Sequence, residues 1–160
     1  DPLIAGQLRD LRAVLRVLKA SDFVDPGRVA VWGDSLAAPN APDVVAAVPQ
    51  DLDQPTPAEP AAALLAVLAG VFEKPAAVYA RGGLVAYADL LRSPFVHVPL
   101  DAIVPGAIPV GDVGAVVGAA ATVVPVRTAV TVDAWNRATG DDGKAADGAA
   151  LWVVERLRKP

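Results

Sequence analysis

The 160-residue sequence contains no cysteine and no methionine, and it holds a single histidine, His97. Without cysteine, disulfides and thiolate metal sites are excluded, although the compartment stays open. Without methionine, residue 1 is not a natural start, and we expect the chain to be a piece of a longer protein. With one imidazole, chemistry that needs a histidine base has one candidate within these residues.

An excess of basic charge is also missing, because the net charge is -4 at pH 7. This excludes the electrostatic footprint that a nucleic-acid-binding surface requires. The longest apolar stretch, AAALLAVLAGVF at 61–72, is too short to span a bilayer. Alanine and valine are abundant instead. Apolar residues form 54% of the chain, which is enough for one globular domain over residues 1–160.

Helical and β-branched segments alternate along the chain. Leu8, Leu11, Leu15 and Leu18 repeat at helical spacing near the start. Strands are predicted at 28–32, 76–80 and 126–132, further helices at 58–73, 82–91, 112–122 and 147–158, and a proline-rich loop insertion at 38–60. This alternation predicts an α/β fold of three layers, in which a parallel sheet is flanked by helices.

Burial can be predicted for some of these elements. The first two strands are short apolar runs without polar alternation, which predicts burial on both faces of the sheet. In the last helix, the expected buried face consists of Leu151, Trp152, Val154 and Leu157.

A serine follows the first predicted strand in Gly33-Asp34-Ser35-Leu36-Ala37. In a parallel α/β sheet, chemistry gathers at the carboxyl ends of the strands. A sharp turn into a helix would lift the Ser35 hydroxyl above the sheet, and Gly33 and Ala37 are small enough for close backbone approach. The Leu36 N–H would then point at a developing oxyanion. Ser35 could instead cap the following turn, since serine and aspartate are favoured caps.

The segment QLRDLRAVLRVLKASDFVDPGRVAVWGDSLA, residues 7–37, resembles the helix, turn, strand and nucleophile elbow of α/β-hydrolases. It is similar to the acetyl-xylan-esterase and prolyl-oligopeptidase-like branch of that superfamily. The matching positions are Asp10, Leu18, Asp25, Pro26, Arg28, Gly33 and Ser35. The resemblance implies the C-terminal part of an α/β-hydrolase domain, with Ser35 as the nucleophile and Gly33, Asp34 and Ala37 as its elbow.

A weaker similarity to the same branch covers VPVRTAVTVDAWN at 124–136 and implies that Asp133 is the acid of the triad. No histidine lies between Asp133 and the last helix, so the base is His97 or lies outside this chain. His97 could instead be a partly buried histidine bonded to the backbone. Asp133 could equally cap the turn into AWNRATG or pair with Arg137.

The letters GDSL at 33–36 are also the signature of the GDSL esterases. In that family the block lies at the first strand, and a D-x-x-H motif near the C-terminus supplies acid and base. This sequence has no D-x-x-H motif. The context of an amphipathic helix and a DPGR turn before residue 33 favours the α/β-hydrolase resemblance.

The expected function is therefore carboxyl-ester hydrolysis through an acyl-serine intermediate in the intact parent protein. The expected substrate is a small ester or an acetylated carbohydrate, with no cofactor and no metal. The competing hypothesis is a catalytically inactive hydrolase-like or interaction module. Because the resemblance places the elbow strand inside a sheet, we expect one side of 28–32 to be unpaired and open to self-association.

Overall fold

The computed structural model describes residues 3–44, 55–92, 94, 96–139 and 148–158. Strands β1 (Ala30–Asp34), β2 (Ala77–Arg81) and β3 (Val126–Ala129) form a parallel sheet in the order β1-β2-β3. A short antiparallel pair, β4 (Thr131–Val132) and β5 (Ala138–Thr139), follows β3. The prediction of an α/β fold with a parallel sheet and flanking helices is confirmed.

The α-helices of the described residues are α1 (Leu3–Lys19), α2 (Ala61–Glu73), α3 (Ala107–Val110), α4 (Val113–Ala121) and α5 (Ala149–Arg158). Short 3₁₀ helices lie at Pro26–Arg28, Tyr87–Arg92 and Leu100–Ala102. Helices α1, α2 and α4 pack on one face of the sheet, and α5 packs on the other. The sheet is therefore the middle of three layers.

The sheet face under α2 is built from small side chains. A Cβ atom placed on Gly33 would lie 2.1 Å from the Ala62 carbonyl oxygen and 2.8 Å from the Ala66 Cβ. A Cβ atom on Gly70 would lie 3.0 Å from a Val78 methyl carbon. The alanine-rich sequence of α2 thus allows the helix backbone to approach the strands closely.

Helix α1 is held against α2 by one carboxylate. Glu73 ends α2 and accepts hydrogen bonds from Arg12 Nε at 2.7 Å and from Arg16 Nη2 at 2.9 Å. Lys19 Nζ donates to the Glu73 carbonyl oxygen. The hydrogen bonds from Arg12 and Arg16 outweigh burial and hold the pKa of Glu73 below its usual value. The arginines on the polar face of α1 therefore fix its position, while Leu15 fills the core.

The opposite face of the sheet carries larger side chains. Tyr79 is fully buried between the rings of Trp32 and Trp152, with centroids 4.6 Å and 6.5 Å away. Trp32 remains 46% exposed because β1 is at the edge of the sheet and α5 packs over β2. The prediction of burial on both faces is thus right for β2 and wrong for β1.

The buried face predicted for the last helix is partly wrong. Trp152 packs on the core as expected, but Leu151 is 62% exposed and Val154 is 39% exposed. Their places are taken by Ala149 and Val153, which contact the cluster of Tyr79, Ala129 and Val130. Apolar spacing alone therefore did not define which side of this short helix meets the sheet.

Several predicted boundaries also change. The first strand begins at Ala30 instead of 28, because Asp25 caps the 3₁₀ turn Pro26–Arg28 by accepting from the Gly27 N–H. The third strand ends at Ala129, because Val130 adopts a left-handed backbone with φ 50. The predicted helix 82–91 is a turn followed by the 3₁₀ helix Tyr87–Arg92. In the predicted loop insertion, residues 45–54 lie outside the described residues.

No single helix in the described part of the chain is long and apolar enough to cross a membrane. One pair, Leu100–Val110 and Val113–Ala121, meets the length and composition criterion together but is bent by 76°.

Candidate active site

Ser35 is the first residue after β1, at the carboxyl edge of the sheet. Its N–H donates to the Arg81 carbonyl oxygen at 3.1 Å, which extends the β1–β2 ladder by one bond. Its hydroxyl oxygen accepts from the Ala37 N–H at 3.2 Å, and the residue is 4% exposed. The serine therefore caps its own turn, which is the alternative left open by the sequence.

The turn after Ser35 differs from the predicted strand-to-helix elbow. Up to residue 44 no helix follows, and Ser35 is not among the described residues with positive φ. Leu36 is 92% exposed, and none of the described residues accepts a hydrogen bond from its N–H. The proposed oxyanion donor is thus available, although the hydroxyl beside it is directed toward the main chain.

Two glycines surround the Ser35 position for steric reasons. A side chain at Gly33 would clash with α2, so glycine is required there for the packing of the helix and not for the serine turn. Gly82, with φ +70, is needed by the serine itself, because a Cβ atom there would lie 2.3 Å from the Ser35 Cβ. The Gly82 N–H also donates to the carbonyl oxygens of Ala129 and Val130. Gly82 thereby joins the ends of all three parallel strands.

The side chain of Asp34, the residue before the serine, lies on the face of the sheet that α5 covers. Its carboxylate accepts from Arg81 Nη1 at 3.1 Å and from Trp32 Nε1 at 3.4 Å. Both partners of the Arg81 pair are about one-third exposed, so the pair contributes little to stability. Asp34 is therefore part of the α5 face of the sheet and has no hydrogen bond to Ser35.

Asp133 follows β4 and holds its own turn together. One carboxylate oxygen accepts from the backbone N–H groups of Trp135 and Arg137, both at 2.9 Å. The other accepts from Arg137 Nε at 2.7 Å and Nη2 at 2.6 Å. Burial raises the pKa of Asp133, but these bonds outweigh it and leave the pKa below its usual value. Four donors occupy the acceptor sites of the carboxylate, and none is an imidazole.

His97 is bonded to the same turn through its main chain. Its N–H donates to the Ala134 carbonyl oxygen at 2.8 Å, and its carbonyl oxygen accepts from the Ala58 N–H at 2.6 Å. The ring atom Nε2 is buried and has no hydrogen-bond partner among the described residues. The irregular segment around His97 thus returns to the carboxyl edge, but no hydrogen bond joins the imidazole to Ser35 or Asp133.

A pair of asparagines connects the loop after Ser35 to the Asp133 turn. Asn136 is 1% exposed, has φ 56, and donates to the carbonyl oxygens of Ala38 and Thr56. Asn40 donates to the carbonyl oxygens of Thr56 and Trp135 and accepts from the Thr56 N–H. Sequence reasoning missed both residues. One signal is present in the sequence: asparagine tolerates a left-handed backbone, the conformation that Asn136 adopts. This signal does not identify hydrogen-bond partners that are far away in the chain.

Backbone and asparagine hydrogen bonds therefore bring Ser35, His97 and the Asp133 turn to the carboxyl edge of the sheet. An apolar cavity of about 40 Å³ is lined by Ala63, Gly83, Leu84 and Tyr87, among others, and neither Ser35, His97 nor Asp133 lines it. Among the described residues there is no group of acidic and imidazole side chains that could hold a metal ion.

Comparison with protein-family models, with curated proteins and with solved structures finds no match to this chain.

Proposed function

We propose that this chain carries the nucleophile of a serine carboxyl-ester hydrolase and that Ser35 forms the acyl intermediate. The observation that carries the proposal is the position of Ser35, directly beyond β1 at the carboxyl edge of a parallel sheet. Ligands of open α/β sheets bind at this edge. The contact between Ser35 and Gly82 keeps the serine at the point where the three strands end.

The proposed substrate class is an acetylated carbohydrate or another small ester. It is what the resemblance of residues 7–37 to the acetyl-xylan-esterase branch implies.

In the proposed reaction, Ser35 Oγ attacks the ester carbonyl and the Leu36 N–H stabilises the oxyanion. The alcohol then leaves, and water hydrolyses the acyl-serine. His97 is the proposed base, because its buried Nε2 has no hydrogen-bond partner among the described residues. It takes the Ser35 proton and gives it to the oxygen of the leaving alcohol. Its imidazole must reach the hydroxyl directly or through one water, with the Ser35–Ala37 bond released. Asp133 is assigned to positioning, because its carboxylate holds the turn to which His97 is bonded.

Labelling with a fluorophosphonate probe tests the nucleophile. We expect labelling of the wild-type chain and its loss in Ser35→Ala, while Ser21→Ala, in the turn after α1, labels normally. Thermal unfolding of both variants shows whether loss of labelling reflects chemistry or loss of fold. Absence of labelling in the folded wild-type chain contradicts the proposal.

The Asp133→Asn variant tests whether Asp133 is the acid of a catalytic triad or a residue that positions the turn. In a triad, replacing the acid by its amide lowers kcat by about 10⁴-fold with the fold intact. For an Asp133 that holds its own turn, we expect a lower melting temperature and an esterase rate within about tenfold of wild type once the chain is folded. A drop of about 10⁴-fold at unchanged melting temperature would restore Asp133 as the acid.

A non-catalytic hydrolase-like module is the second candidate function. It is favoured by the 4% exposure of Ser35 and by the bond from the Ala37 N–H to its hydroxyl. For such a module, neither the probe nor a small acetyl ester reacts at Ser35, and Ser35→Ala leaves every binding property unchanged.

A further inference from the structure

Strand β1 has one edge that no described strand pairs with. The Val29 carbonyl oxygen accepts from the Ala76 N–H, and the Ser35 N–H donates to the Arg81 carbonyl oxygen. Backbone groups alternate in direction along a strand, so residues 29, 31, 33 and 35 face β2. The N–H and C=O groups of Ala30, Trp32 and Asp34 therefore face away from the sheet, as a template for another strand.

Apolar side chains are exposed on β1 and on both segments that flank it. Trp32 is 46% exposed on the strand itself. Phe23, before the strand, is 90% exposed, and Leu36, after it, is 92% exposed. Exposed apolar side chains around an unpaired edge are typical of a surface that another chain covers.

We propose that the occupant of this edge is a second copy of the same chain, with β1 of one copy antiparallel to β1 of the other. A two-fold axis brings the same surface of both copies together, and it reverses the direction of the strand. Only residues whose backbone groups face outward can form the hydrogen-bonded pairs. Ala30, Trp32 and Asp34 must therefore pair with even-numbered residues of the copy.

Charge selects one register among those that remain. With the axis at Val31, Trp32 of each copy lies opposite Ala30 of the other. Arg28, which ends the 3₁₀ turn before the strand, then brings its side chain near Asp34 of the other copy, beyond the end of the ladder. With the axis at Trp32, the two tryptophans oppose each other and Asp34 meets Ala30. The Arg28 side chain is 59% exposed and its contact with Asp25 is long, at 3.6 Å. It can therefore add a contact to the Asp34 carboxylate, which remains about one-third exposed beside Arg81. The register centred on Val31 thus matches both charge and side-chain size, and it does not depend on the chemistry of Ser35.

Single cysteines test this register directly, because the chain contains no other thiol. Across the axis, the two copies of residue 31 form a non-hydrogen-bonded pair with Cα atoms about 4.5 Å apart, within the range of a disulfide. We expect Val31→Cys to form a covalent dimer on mild oxidation, reversible by reductant. Leu151→Cys, exposed on α5, is the control and stays monomeric at the same dilute concentration. Cross-linking of Trp32→Cys without cross-linking of Val31→Cys overturns the register.

Sedimentation equilibrium tests the pairing without touching the core. We expect a concentration-dependent dimer that Arg28→Glu weakens by about tenfold in Kd, since it affects two symmetric contacts. The double variant Arg28→Glu with Asp34→Arg restores the dimer. Arg92→Glu is the matched control, because Arg92 is also an exposed arginine paired with an aspartate three residues earlier. A wild-type monomer at all concentrations, which leaves the edge to a different chain, overturns the proposal.

Discussion

The two faces of the parallel sheet are covered in opposite ways. On the α2 face, Gly33, Ala66 and Gly70 let the helix backbone approach strands β1 and β2 closely. On the α5 face lie the aromatic rings of Trp32, Tyr79 and Trp152. Trp32 is partly exposed, and the buried Tyr79 hydroxyl has no hydrogen-bond partner among the described residues. Small groups in close contact therefore form one layer, whereas larger aromatic rings, one of them partly exposed, form the other.

The largest effect is expected for Gly33→Ala. The added Cβ would overlap the Ala62 carbonyl oxygen, which belongs to the backbone and cannot move without shifting α2. We expect a loss of about 3 kcal/mol in the free energy of unfolding, measured by urea denaturation. Gly114→Ala in α4 is the control, since a Cβ atom there would meet no described group within 4 Å outside its own helix backbone and chain neighbours. It is expected to gain up to about 1 kcal/mol from helix propensity. Equal effects of the two substitutions would show that α2 is not closely packed.

On the α5 face, we expect Tyr79→Phe to stabilise the protein, in contrast to Gly33→Ala on the α2 face. The buried hydroxyl has no partner among the described residues, so its removal should raise the free energy of unfolding by about 1 kcal/mol. Burial raises the pKa of Tyr79 above 10.0, although Arg127 and Arg81 lower it in part. The unfolded chain therefore ionises first, and wild-type stability falls as pH rises above 10.0. Thermal unfolding at pH 7 and in the alkaline range checks both points; destabilisation by Tyr79→Phe at pH 7 would contradict them.

Glu73→Gln is expected to lower the free energy of unfolding by about 1 kcal/mol or less, because it weakens the contact between α1 and α2. The lowered pKa of Glu73 also gives a pH dependence. Its contribution is fully present above the unfolded value of 4.5 and is lost as pH falls through the lower folded value. Acid titration of the melting temperature should show a smaller decrease below that pH for Glu73→Gln than for wild type. An unchanged acid profile would assign the decrease to Asp112 and Asp133, whose pKa values are also lowered by their hydrogen bonds.

The smallest effect is expected for Leu151→Glu, at the outer surface of α5. With 62% exposure, this change should alter the free energy of unfolding by less than about 0.5 kcal/mol. Ala149→Glu in the same helix is the matched substitution, and it should cost about 2 kcal/mol or more because Ala149 is 5% exposed. Chemical denaturation of both variants measures the difference. Similar losses in the free energy of unfolding would show that Leu151 lies on the buried face, as its spacing predicts.

The order of helices and strands could be predicted from the alternation of apolar segments, because each segment carries its own period. The end of β3 could not, since Val130 adopts a left-handed backbone that its residue type disfavours, and only its surroundings hold it there. For the candidate site, the position of Ser35 after a strand was predictable from residues 28–35. The bonding of Asp133 to Arg137 was one of two open alternatives, and the backbone bond from His97 to Ala134 joins segments with no local signal.

By itself, the sequence determined the layered α/β class and the place of a serine beyond the first strand, because periodicity and turn residues act over a few neighbouring positions. Only the tertiary structure decided which side of α5 is buried, why Gly82 must be a glycine, and how Asn40 and Asn136 connect the serine loop to the Asp133 turn. Those features depend on contacts between residues far apart in the chain, and their energies exist only once the layers have come together.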